Sequence, residues 1–142
     1  MKKAFHLALV LVFLASCSDS QPESEQEQVH KQVDYSVWHA GKFYYREKAT
    51  GTYLINRTDS IQEEFIKMNA MVVEFVIKWQ NDSTYTLDYT RISENPNNKE
   101  VAEGIDSLIK TCTITEVEEK SYVEKATSNM TDEVIYTRIY RY

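Results

Sequence analysis

Apolar and polar residues alternate with period two through most of the chain after Trp38. The clearest stretch runs from Met71 to Trp79. Met71, Val73, Phe75, Ile77 and Trp79 fall in one phase, and Val72, Glu74, Val76 and Lys78 in the other. After Asn81-Asp82-Ser83, Tyr85, Leu87 and Tyr89 alternate with Thr84, Thr86, Asp88 and Thr90. Two such runs around a short polar turn predict a β-hairpin with one apolar face and one mostly polar face. The theme recurs on both sides. Phe43-Tyr44-Tyr45 precedes a turn at Ala49-Thr50-Gly51, and Tyr53-Leu54-Ile55 resumes the extended pattern. Ile61 and Phe65 share one phase; Gln62, Glu64 and Ile66 share the other. A Thr-rich run from Thr111 to Val117 is separated from Tyr122-Val123 by Glu118-Glu119-Lys120. Val134 to Tyr142 is β-branched and aromatic in both phases, which predicts a fully covered or barrel-closing strand.

One stretch departs from this period. Asn95-Pro96-Asn97-Asn98 is a loop signal, and Val101, Ile105, Leu108 and Ile109 then fall at helical spacing. A short helix near 98–106 is expected, weakened by Gly104, with Leu108 and Ile109 leading into the next strand. Taken together the pattern predicts a mainly β domain over 37–142. Its architecture is an antiparallel meander of seven or eight short strands, curling into a partial or closed small barrel of lipocalin-like form.

The first 36 residues read differently. Lys2 and Lys3 precede an apolar run from Ala4 to Leu14, followed by small residues and Cys17. Eleven helical residues rise about 17 Å, well short of a hydrocarbon core of about 30 Å, so 1–16 is expected to be a cleaved signal peptide. Residues 17–36 hold five acids against the single Lys31 and little to bury. They are expected to form a solvated tether, reaching about 25 Å as a flexible coil.

Charge and cysteine usage narrow the function classes. The chain carries 22 acidic and 16 basic residues, for a net charge of −6, with no basic stripe; nucleic acid is not an expected partner. Of its two cysteines, Cys17 lies at the leader boundary, leaving Cys112 with no partner in the chain and the expected role of a small buried hydrophobe. No metal or cofactor motif is present, and none is expected. His39 is expected at a surface or interface beside Trp38, since neither His30 nor His39 has a ligand partner at metal spacing. Glu63-Glu64, Glu116-Glu118-Glu119 and Asp132-Glu133 are expected to be solvated rim charges. No nucleophile elbow or catalytic triad pattern occurs, and the domain is expected to be non-catalytic. The ten tyrosines suit both strands and binding surfaces.

Leu14-Ala15-Ser16-Cys17 resembles the lipobox of bacterial lipoproteins. The resemblance implies cleavage before Cys17 and its lipidation, with acyl chains as the contact with the membrane. Two or more such chains anchor stably. Gly51-Thr52-Tyr53-Leu54-Ile55-Asn56-Arg57, Ser60-Ile61-Gln62-Glu63, Ile77-Lys78-Trp79 and Tyr85-Thr86-Leu87 resemble a group of short Bacteroidota lipoproteins, from about Gly41 to Val123. That group has no established activity. Some of its members carry the label "DNA topoisomerase IV", which an acidic, exported domain of this size has no room to justify. Asp59-Ser60-Ile61, Asp82-Ser83-Thr84 and Asp106-Ser107-Leu108 resemble the O-glycosylation signal of exported Bacteroidota proteins, making Ser60, Ser83 and Ser107 candidate modification sites. Ser18 after the lipidated cysteine implies the outer membrane. The domain would face the periplasm or, as Glu23, Glu25 and Glu27 behind Ser18-Asp19-Ser20 favour, the cell surface.

The leading expectation from sequence is therefore a lipid-anchored interaction or envelope-assembly module with an envelope protein as partner. A lipocalin-like carrier of a small apolar or aromatic ligand is the alternative, and an inhibitor of a cell-wall or proteolytic enzyme a third. An internal cavity of about 300 Å³ or more, lined by Tyr and Phe, distinguishes the carrier.

Overall fold

The computed structural model describes residues 32–142, which form one compact unit. The signal segment, Cys17 and most of the acidic tether lie outside the described residues.

Eight strands follow one another: β1 (Gly41–Glu47), β2 (Gly51–Arg57), β3 (Ile61–Ile66), β4 (Met71–Trp79), β5 (Thr84–Glu94), β6 (Ile109–Val117), β7 (Ser121–Ser128) and β8 (Thr131–Arg141). Each pairs antiparallel with the next and β8 returns to β1, closing an up-and-down barrel. Eight strands enclose an interior just wide enough for side chains or one small ligand.

The alternation sets which side chains enter it. Met71, Val73, Phe75 and Ile77 of β4 and Tyr85 and Leu87 of β5 are buried, while Lys78 stays outside. The turn between them is fixed by Asn81, whose Oδ1 accepts the backbone N–H of Ser83 at 3.0 Å and of Thr84 at 2.9 Å. Gly51 opens β2 at φ +84°, a left-handed conformation that a side chain would strain. Cys112 is fully buried on β6 and unbonded to another cysteine, as expected.

Because the strands run up and down, β1, β3, β5 and β7 begin at the end of the barrel where the chain enters from residue 32. That end is plugged. A 3-10 turn, Ser36–Trp38, is led in by Asp34, whose Oδ1 accepts Ser36 N at 3.0 Å and Ser36 Oγ at 2.6 Å. The turn lowers Trp38 into the barrel mouth, where it is 2 % exposed. Its ring meets Tyr122 edge-on at 5.1 Å, and the Arg141 guanidinium lies 5.1 Å from its centroid. His39 caps the same end, stacked on Trp79 at 3.7 Å with Nε2 2.9 Å from the carbonyl of Asp82.

The opposite end is looser. β8 meets β1 only through Phe43↔Arg141 and Tyr44↔Tyr140, both near the plugged end, and β6 meets β5 only over Thr84–Asp88. The last strand therefore closes the barrel, as its composition suggested, but is not covered. Over Thr131–Tyr136 it has a partner on one side alone, and Val134, Ile135 and Tyr136 remain exposed. The expected helix near 98–106 is reduced to one 3-10 turn, Ile105–Ser107. Asn95 binds the backbone N–H and carbonyl of Lys99, each at 2.9 Å, and Asn98 and Gly104 adopt positive φ, which breaks a continuous right-handed helix. Val101 is left exposed, and Ile109 begins β6.

Candidate functional site

Inside the open end lies a cavity of about 540 Å³. Its walls come from seven strands, all but β5, and from Ile105 and Leu108 of the β5–β6 connection. Ile55, Ile66, Val73, Phe75 and Ile135 supply apolar surface, and Tyr45 and Tyr53 stack at 4.5 Å on adjacent strands. Volume and composition match ligand pockets, which are mostly apolar with a few placed polar groups.

The polar groups gather at the inner end of the cavity, on strands whose phase points them inward. Glu64 is 6 % exposed, which overturns the expectation of a solvated rim charge. It follows Gln62 and precedes Ile66 on the inward side of β3, so the alternation carries it into the barrel. Gln62 Nε2 donates to Glu64 Oε1 at 2.8 Å, and the Tyr45 hydroxyl lies 3.4 Å from Oε2. Lys110, in phase with Cys112 and Ile114 on β6, places Nζ 3.8 Å from Glu64 Oε2 and 4.8 Å from the Phe75 ring centroid.

Beneath the cavity Arg57 is 2 % exposed and fully engaged. Its Nε donates to Gln62 Oε1 at 2.6 Å, Nη1 to the Trp38 carbonyl at 3.0 Å and Nη2 to the Tyr85 hydroxyl at 2.8 Å. Tyr85 in turn donates to Glu124 Oε2. Arg57 thus ties the plug to the cavity floor. A buried charge persists only where hydrogen bonds and an opposite charge match it.

Titration follows this layout. Burial drives the Tyr85 proton affinity well above its ordinary value, against the pull of Arg57. Burial likewise pushes Tyr122 up to about 12. Tyr45 is raised by burial and then by Glu64. For Lys110, burial favours proton loss, but Glu64 together with Cys112, Glu124 and Tyr53 outweighs it, and the ammonium is held above its usual value. Burial, with Glu124 nearby, raises the Cys112 thiol well above the ordinary range, leaving it inert as a nucleophile.

The other expected sites lie elsewhere. Ser60 is exposed in the β2–β3 turn, Ser83 is half-buried in the β4–β5 turn, and Ser107 is exposed in the 3-10 turn before β6. All three sit at turns, as their Asp-Ser pattern suggested, but Ser107 Oγ donates to the Gly104 carbonyl at 2.8 Å and Ser83 Oγ lies 3.3 Å from Asn81 Oδ1. Of the expected rim acids, Glu116 and Glu118 pair on the outer surface with Arg138 at 3.3 and 2.8 Å. Among the described residues no cluster of three His, Cys, Asp or Glu could hold a metal ion. Nor is any helix among them long and apolar enough to cross a membrane.

Sequence reading missed Arg57, Gln62, Lys110 and Glu124. The signal was present: Arg57 continues the phase of Tyr53 and Ile55, and Glu124 sits between Tyr122 and Ala126. Outside the barrel a second hollow of about 450 Å³ lies over Leu54, Phe65 and Val72. It belongs to a row, Tyr140, Tyr44, Leu54, Phe65 and Val72, in register across five strands. Comparison with protein-family models, with curated proteins and with solved structures found no match to this chain.

Proposed function

We propose that this protein is a lipid-anchored carrier that holds one small, largely apolar molecule in the open end of its barrel. The observation that carries the reading is the cavity: about 540 Å³, bounded by Tyr45, Tyr53 and Phe75, and so above the size that distinguishes a carrier from a packed module. The plugged end gives the barrel one mouth, on the side away from where the chain enters. A tether from a lipidated Cys17 in the outer membrane would join the described chain at residue 32, on the plugged side. The outer row from Tyr140 to Val72 favours a second reading, the interaction module, with an envelope protein docked on that face.

Ala126 lines the cavity and has room in front of it, so Ala126→Trp fills the site without touching the outer row. Native mass spectrometry of the full chain with 1-decanol is expected to show a one-to-one adduct that Ala126→Trp abolishes. Absence of an adduct with 1-decanol and with its charged analogues decanoate and decylammonium alike, or its persistence in the variant, sinks the carrier reading in favour of the module. The anchor is tested separately: Cys17→Ala is expected to abolish metabolic palmitate labelling.

A further inference from the structure

We propose that the ligand of this cavity is a neutral amphiphile, an apolar body bearing one uncharged polar group such as a hydroxyl or a primary amide. The inference rests on the carrier reading and names the chemistry of its ligand. Below the rim, the charged side chains that line or underlie the cavity are Arg57, Glu64, Lys110 and Glu124, two of each sign. They are already matched: Lys110 with Glu64 at 3.8 Å, and Arg57 with Glu124 through the Tyr85 hydroxyl. The other charges at the cavity, Arg46, Glu47, Lys48 and Glu133, are exposed at its rim, and Arg138 is paired outward with Glu116 and Glu118.

Charge is balanced, but hydrogen-bonding capacity is not used up. Among the described residues Lys110 Nζ makes no hydrogen bond and Glu124 Oε1 accepts none. A hydroxyl or amide can accept from the first and donate to the second without changing the net charge. A carboxylate offered to Lys110 also faces Glu64, 3.8 Å from that nitrogen. An ammonium offered to Glu64 meets Lys110 at the same distance. Either leaves one uncompensated charge in a site sheltered from water, where charges interact several times more strongly than in bulk solvent. The aliphatic wall from Ile55 to Ile135 takes the body of the ligand.

Three ten-carbon probes test this with the full chain at neutral pH: 1-decanol, decanoate and decylammonium, with Ala126→Trp subtracting any binding outside the cavity. The wild type is expected to bind 1-decanol at least about tenfold more tightly than either ion. Glu64→Gln leaves Lys110 unmatched and is expected to move the preference to decanoate by about tenfold; Lys110→Gln leaves Glu64 unmatched and is expected to move it to decylammonium. Should one variant not fold, the other variant and the wild-type order still decide. A wild-type preference for either ion, or equal affinity for all three probes in every folded form, overturns the inference and leaves the carrier reading standing. If no probe binds in a way that Ala126→Trp abolishes, the carrier reading fails and the inference with it.

Discussion

The two ends of the barrel are built from the same strands and the same alternation, yet one is solid and the other hollow. At the plugged end the inward positions carry Phe43, Tyr85, Tyr122 and Ile139, and Trp38 is added from outside the sheet. At the open end the inward positions mix the large Tyr45, Tyr53 and Phe75 with the small Ala126, Ser128 and Thr137 and the charged Glu64 and Lys110, and only Ile105 and Leu108 of the β5–β6 connection reach the cavity from outside the sheet. Backbone pairing follows the same division, since β8 and β1 bond only near the plug. The added Trp38 plug and the β8–β1 pairing are what the filled end has and the hollow end lacks. The stability of the domain therefore resides at one end and its binding capacity at the other.

That division predicts unequal mutational costs. Trp38→Ala removes the plug and the ring on which the Arg141 guanidinium lies, while the residue-38 carbonyl that accepts from Arg57 stays. It is expected to cost about 3–5 kcal/mol in denaturant melts, the range for truncating a large buried aromatic. Tyr136→Ala, 63 % exposed on the unpaired part of β8, is expected to change stability by no more than about 0.5 kcal/mol. Equal losses at the two sites would break the comparison.

Alkali is expected to act through the buried tyrosines. Tyr122 is held protonated up to about 12 in the folded state, against about 10 when unfolded. The unfolded chain releases that proton first, so the stabilisation is intact below about pH 10 and is lost as pH rises toward 12. The slope is up to about 1.4 kcal/mol per pH unit for each such tyrosine. Tyr85 and Lys110, both raised, push in the same direction. Urea melts between pH 8 and 12 are expected to show this decline, and Tyr122→Phe to flatten it. An unchanged slope in the variant would place the alkaline sensitivity elsewhere, at Tyr85, Lys110 or Tyr45.

Much of the barrel was legible in the sequence because its strands announce themselves by period two. The β4–β5 hairpin, the turn at Asn81 and the break at Glu118-Glu119-Lys120 needed nothing beyond that pattern. The cavity was legible only as an alternative. Its polar floor was hidden by the usual equation of charge with surface: Glu64 was counted with Glu63 as a rim pair, although the two fall in opposite phases of β3 and only Glu63 reaches outward to Asn56. A charge that keeps the phase of its apolar neighbours signals a polar interior. The uncovered half of β8 could not be foreseen from its own residues, because whether a strand end is paired depends on the register that β1 offers it. The lone 3-10 turn in place of a helix follows from Asn98 and Gly104, whose left-handed backbone outweighs the apolar spacing.

The finest test of where solid gives way to hollow compares two neighbouring inward positions. Cys112 on β6 and Ala126 on β7 are register partners, both inward; Cys112 is fully buried, whereas Ala126 is half-buried and borders the cavity. Enlarging each to leucine adds comparable volume at neighbouring points. Cys112→Leu drives methyl groups against Tyr85, its partner on β5, and the packed layer around it, and is expected to cost about 1–3 kcal/mol as overpacking. Ala126→Leu extends into the cavity beside Ile135, its register partner on β8, so it buries apolar surface without overpacking and is expected to be neutral or stabilising by less than about 1 kcal/mol. Paired chemical melts of the two variants measure the difference directly. If Ala126→Leu is the costlier of the two, the cavity is closed in solution and the hollow end is packed like the plugged one.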